Sequence, residues 1–63
     1  MLQTGTIFSA TDKMGCTYTY RFQGVILGDS TGCSYIQLEN LTIGGMTAVE
    51  YSWFRERKIQ IVF

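Results

Sequence analysis

The sequence predicts an all-β fold: a five-stranded antiparallel meander curled into a small SH3-like or OB-like barrel. Three observations carry that expectation. Stretches of alternating apolar and polar residues recur along the chain. Clusters of Gly, Asp, Ser and Thr separate them at hairpin spacing. No segment reads as an α-helix, and a sheet with one apolar face must close on itself or cover that face with a second copy. The strands are expected near 4–10, 16–27, 33–39, 47–54 and 58–63, within one small domain spanning 1–63.

The central element is Cys16 to Leu27. Cys16, Tyr18, Tyr20 and Phe22 fall on one side, and Thr17, Thr19, Arg21 and Gln23 on the other. Gly24 interrupts this alternation, which marks a bend or bulge where the sheet curls. The first strand, Thr4 to Ala10, is rich in β-branched and aromatic residues. Thr11 to Gly15 is the turn that follows it. A hairpin with Ala10 opposite Cys16 sets Phe8 against Tyr18 and Gly5 against Arg21, gathering the bulky side chains on one face.

Gly28 to Gly32 is the next turn. With Leu27 opposite Cys33, Val25 faces Tyr35, Gly24 faces Ile36, Phe22 faces Leu38, and Arg21 forms an ion pair with Glu39. Asn40 to Met46 breaks the alternation and reads as a bend and short connection. The last segment, Thr47 to Phe63, carries the strongest hairpin pattern. A loop at Arg55-Glu56-Arg57 sets Trp53 against Ile59, Tyr51 against Ile61 and Val49 against Phe63. Arg57 is an awkward occupant of the left-handed position such a loop favours.

Composition narrows the function. The chain has 63 residues, 46% of them hydrophobic, with five basic and five acidic residues. Zero formal charge provides no general footprint for duplex DNA or an anionic membrane. No apolar run approaches the length of a membrane span, and no signal peptide is evident, so a cytoplasmic protein with reduced thiols is expected. With no export signal, the glycosylation sequon Asn40-Leu41-Thr42 carries no weight.

The sequence contains no histidine, which removes the usual general base, the commonest metal ligand and the ordinary nucleophilic triads. The two cysteines match no zinc spacing. A Cys16–Cys33 disulfide is disfavoured by the strand register, which separates them by roughly 35 Å of extended chain, against the ~7 Å limit for a bridge. Asp29-Ser30-Thr31-Gly32 reads as turn chemistry rather than as a protease signature or a phosphate-binding loop, lacking the lysine and helix of the latter. No catalytic residues, cofactor or metal are expected.

Thr4-Gly5-Thr6-Ile7, followed by Lys13-Met14-Gly15-Cys16-Thr17-Tyr18, resembles the opening of a cold-shock domain. Cys33-Ser34-Tyr35-Ile36-Gln37-Leu38 stands loosely for that family's second RNA-binding motif. The resemblance covers about half the chain and implies a small barrel. The spaced aromatics and the histidine of the family are absent, so it implies nothing about RNA.

Two surfaces remain. Arg55, Arg57 and Lys58, with Phe54 beside them, form a basic and aromatic hairpin tip. Tyr35 joins them as a candidate binding residue. This group suits an acidic protein, a phosphate or single-stranded nucleic acid. A second set, Ile7, Val25, Leu27 and Val62, falls away from the presumed core and is the candidate interface. The final strand offers an edge to another chain. The expectation is therefore a non-enzymatic protein-binding module, homo-oligomeric, acting as an inhibitor or adaptor by surface contact, for example a phage-type anti-host or anti-defence protein. The alternative is a binder of single-stranded nucleic acid or a phosphate-bearing small ligand.

Overall fold

The structure is a computed structural model that describes residues 3–27 and 34–62. The predicted turn at 28–32, Cys33 with its question of a disulfide, and Phe63 lie outside the described residues. Five strands form one antiparallel sheet in the order β4-β3-β2-β1-β5. They are β1 (Ile7–Thr11), β2 (Thr17–Leu27), β3 (Ser34–Asn40), β4 (Met46–Val49) and β5 (Lys58–Ile61), with a one-turn helix α1 (Tyr51–Arg55) between the last two. The predicted mainly-β architecture of five antiparallel strands is therefore present, and the sheet stays open rather than closed by pairing of β4 with β5.

The central strand is β2, as its alternation requires. Its inward side chains Tyr20 and Phe22 join Phe8, Ala10, Ile36 and Leu38 in the buried core. Phe8 and Leu38 are fully enclosed. Thr17, Thr19, Arg21 and Gln23 line the opposite face, where the Arg21 guanidinium meets the Glu39 carboxylate at 2.7 Å.

The first hairpin keeps the expected faces but not the expected register. Ala10 pairs with Tyr18 and Phe8 with Tyr20, two residues from the predicted alignment. The cause is Asp12. Its carboxylate accepts hydrogen bonds from the backbone N–H of Met14 at 2.9 Å and Cys16 at 3.0 Å. Asp12 also donates its own N–H to the Cys16 carbonyl at 3.0 Å. This Asx-type closure places Asp12 opposite Cys16 and leaves a shorter loop, with Gly15 supplying the positive φ of 88°. A shift of two preserves every side chain's face, because the pleat repeats every two residues.

In the second hairpin Arg21 pairs with Glu39 and Phe22 with Leu38, as predicted. Beyond them the register slips by one: Gly24 pairs with Gln37, Val25 with Ile36 and Ile26 with Tyr35. The slip is a β-bulge at Gln23-Gly24, where Gly24 has φ of 148°. The glycine signal was correct. Its consequence is that Val25, opposite the buried Ile36, takes the inner-face register and Ile26 the outer one, the reverse of the expected assignment.

Asn40 to Gly45 forms the tight connection from β3 to β4. The buried Asn40 side chain accepts from the N–H groups of Thr42 and Ile43 at 2.9 and 3.0 Å. Gly44 and Gly45 provide the positive φ angles. Thr42 Oγ1 accepts from the Thr19 N–H at 2.9 Å, extending the β2–β3 ladder past the end of β3.

The last third departs from expectation. Trp53 does not lie opposite Ile59, nor Tyr51 opposite Ile61. The strand predicted over 47–54 ends at Val49, and α1 replaces its second half. β5 then pairs with β1, with Phe8 opposite Ile61 and Ala10 opposite Ile59. Two physical reasons decide this. In a strand, the adjacent Trp53 and Phe54 would point to opposite faces and only one could be buried. On a helical turn both reach the core: Trp53 meets Tyr20 edge-on at 5.2 Å, and Phe54 lies 5.7 Å from Phe8. In addition, Arg55-Glu56-Arg57 contains no glycine for a hairpin loop, whereas the isoleucines of β5 match β1 as well as they would match β4.

Candidate functional site

The predicted basic and aromatic residues sit on the last turn of α1 and the start of β5, not on a hairpin tip. Arg57 folds back over the indole of Trp53, with its guanidinium carbon 4.5 Å from the ring centroid. Its Nη1 donates to the Trp53 carbonyl at 3.2 Å. One side chain thus covers an aromatic face and satisfies a carbonyl that the short helix leaves without an internal partner. A cation there also complements the negative end of the helix dipole. Arg55 lies over the Tyr51 ring at 5.6 Å. Lys58 is exposed and pairs with Thr11 through the backbone. Phe54 belongs to the core packing rather than to the surface, meeting Trp53 at 5.0 Å. Tyr35 is not part of this group: it pairs with Ile26 on the outer-face register of the distant β2–β3 end.

Beside Arg57 lies a shallow depression of about 190 Å³, lined by Asp12, Lys13, Met14, Glu56 and Arg57. It brings the first hairpin turn against the end of α1. Its volume is below the ~300 Å³ at which pockets for small organic ligands begin. Its walls mix both signs of charge, so it suits water or one side chain of a partner better than a nucleotide.

The candidate interface residues do not converge. Ile7 and Val62 are neighbours, the Val62 N–H donating to the Ile7 carbonyl at 2.8 Å. Val25 is exposed at the far end of β2. Leu27 ends that strand opposite Ser34; its side chain lies outside the described set. Among the described residues, exposed apolar side chains that sequence reasoning missed are Met14, Ile26, Leu41, Ile43, Met46, Tyr51 and Ile61. Ile26 was hidden by the bulge, whose position was legible but whose effect on register was not. Ile61 was hidden by the mistaken pairing of β5.

The ionisable groups with defined partners serve architecture. Asp12 closes a turn, and Glu39 accepts from Arg21 and, at 3.3 Å, from Gln23 Nε2. Burial raises the Tyr20 phenol above its usual value of 10.0, an effect that nearby Arg57 partly opposes. Among the described residues no group of three or more His, Cys, Asp or Glu is placed to hold a metal ion. No helix among them is long and apolar enough to cross a membrane. Compared with protein-family models, curated proteins and solved structures, the chain has no significant match.

Proposed function

We propose that this chain is a small non-enzymatic protein-binding module, homo-oligomeric and cytoplasmic, that acts as an inhibitor or adaptor by surface contact. The observation that carries the reading is the pair of open sheet edges, β4 and β5, each flanked by exposed apolar side chains: Met46 on one, Ile61 and Val62 on the other. Unpaired edges next to apolar surface are what strand-adding partners use. We read the sheet as a half-closed SH3-like barrel. Flat, five strands would hold their edges about 19 Å apart. The chain crosses from β4 to β5 through α1, whose Trp53 and Phe54 rings pack on Tyr20 and Phe8. That crossing favours a curled sheet with the helix filling its mouth. Sedimentation velocity over a concentration series tests the reading. A concentration-dependent oligomer supports it, and a monomer at every concentration counts against it.

A second reading, favoured by the stacking of Arg57 on Trp53 and Arg55 on Tyr51, is a binder of single-stranded nucleic acid or a phosphate-bearing ligand. Guanidinium–aromatic pairs on a surface suit stacking and phosphate contact. In that case log K for a single-stranded oligonucleotide falls steeply with log salt. Arg55→Glu with Arg57→Glu then abolishes binding; unchanged binding eliminates this reading.

A further inference from the structure

We infer that two copies of the chain join edge to edge through β5, in antiparallel register about a two-fold axis at Gln60, to make one continuous ten-stranded sheet. The inference rests on the oligomeric reading above and assigns its surface.

The hydrogen-bond alternation identifies which groups are available. Val62 donates its N–H to Ile7, and Gln60 and Lys58 pair with Ser9 and Thr11 in the same phase. These residues therefore direct their backbone groups at β1, and Ile59 and Ile61 direct theirs away from the sheet. The side chains of Ile59 and Ile61 lie opposite Ala10 and Phe8, on the core side of the sheet. Phe8 is fully buried, yet Ile61 is 55% exposed. Among the described residues the apolar layer thus runs to the edge and stops there uncovered.

A second copy completes that layer. With Gln60 on the axis, Ile59 of each copy faces Ile61 of the other in a hydrogen-bonded pair, using both sets of outward N–H and C=O groups. The four isoleucine side chains lie side by side on the core face. Lys58 faces Val62, so no like charges oppose. The two Gln60 amides meet on the outer face, where each carries a donor and an acceptor. The strand is complementary to itself, which an isologous contact requires. The other edge fits less well. The same construction on β4 would centre on Thr47, whose core-face neighbour is the half-buried Val49, and would set two threonines together on the core face.

The test combines blocking with cross-linking. In a background carrying Cys16→Ser and Cys33→Ser, Gln60→Cys should form an intermolecular disulfide under mild oxidation. The two positions become a non-hydrogen-bonded antiparallel pair about 4.5 Å apart at Cα, within disulfide reach. Ile59→Cys should cross-link more slowly, its symmetry mates lying out of register. Ile61→Pro removes an outward N–H that no ladder bond uses, a position where an edge strand tolerates proline. It should weaken dimerisation about tenfold or more while circular dichroism stays native. If Ile61→Pro does not fold, the cross-linking comparison decides alone. A dimer that survives a folded Ile61→Pro, or that cross-links faster through Thr47→Cys than through Gln60→Cys, overturns the β5 assignment but leaves the oligomer standing. A wild-type chain that stays monomeric at millimolar concentration overturns both.

Discussion

Replacing Trp53 by alanine tests the feature that most reshapes this chain, the docking of α1 on the sheet. Trp53 is half-buried. It meets Tyr20 at 5.2 Å and Phe54 at 5.0 Å, both edge-on, and carries Arg57 on its face at 4.5 Å. A fully buried Trp→Ala costs about 3–5 kcal/mol, so half-burial alone scales to about 2. Edge-on aromatic pairs add about 0.5–1.5 kcal/mol each, and the guanidinium stack about 0.5–1. These contributions overlap, and a total near 3 kcal/mol is expected. A domain of this length has about 3–9 kcal/mol in all, so Trp53→Ala should be marginal or unfolded at room temperature. Trp53→Phe keeps one ring edge against Tyr20 and should cost about 1 kcal/mol, lowering the melting temperature by ~4–8 °C. Thermal melts by circular dichroism read both variants. Because Trp53 is the sole tryptophan, its fluorescence gives an independent wild-type transition. A double-mutant cycle with Arg57→Gln should return about 0.5–1 kcal/mol of coupling. If Trp53→Ala changes stability by less than about 0.5 kcal/mol, within the range of neutral surface substitutions, the helix does not pack as described and the reasoning fails.

Other consequences follow from single groups. Burial raises the Tyr20 pKa above 10.0, so this group leaves stability independent of pH below about 10; stability then falls as pH climbs through the folded-state value, because the unfolded chain ionises first. Urea titrations between pH 8 and 11 should show that fall, and Tyr20→Phe should flatten it relative to wild type. Gly24→Ala meets no neighbour within 4 Å yet sits at φ of 148°, a conformation nearly reserved for glycine, and a loss of about 1–3 kcal/mol is expected from strain alone; a neutral result in a chemical melt would remove the bulge as a constraint. Asn40→Ala deletes the acceptor for the Thr42 and Ile43 N–H groups and should cost about 1–3 kcal/mol, with faster amide exchange at those two positions. The Arg21 and Glu39 side chains are 42% and 35% exposed, so a double-mutant cycle should give at most ~1 kcal/mol, shrinking in high salt.

Much of the sheet was legible in local patterns. The strand character of β1, β2 and β3, the inward set Phe8, Tyr20, Phe22 and Leu38, the Arg21–Glu39 pair and the bulge glycine all follow from a two-residue alternation and from residues with special backbone freedom. Registers were less legible. A two-residue slip leaves every face intact, so apolar pattern cannot distinguish Phe8 against Tyr18 from Phe8 against Tyr20; the Asp12 carboxylate decides it. A one-residue slip at the bulge exchanges faces, and sequence alone did not show on which side of Gly24 the slip would fall. The candidate binding residues fared in the same way. Arg55, Arg57 and Lys58 remain close together because they are close in sequence, whereas Tyr35, Val25 and Leu27 were placed by registers that the bulge altered.

Local pattern was enough to show that this chain is mostly antiparallel sheet, where the first turn and the β3–β4 connection fall, and which side of β1 and of the first half of β2 is apolar, since these depend on neighbours a few residues apart. Long-range packing is what joins β5 to β1 and turns Tyr51–Arg55 into a helix. Both choices depend on competition between distant partners for the same apolar surface. Trp53 and Phe54, adjacent in the chain, cannot both enter one core from a strand, and a helical turn is the local change that admits them.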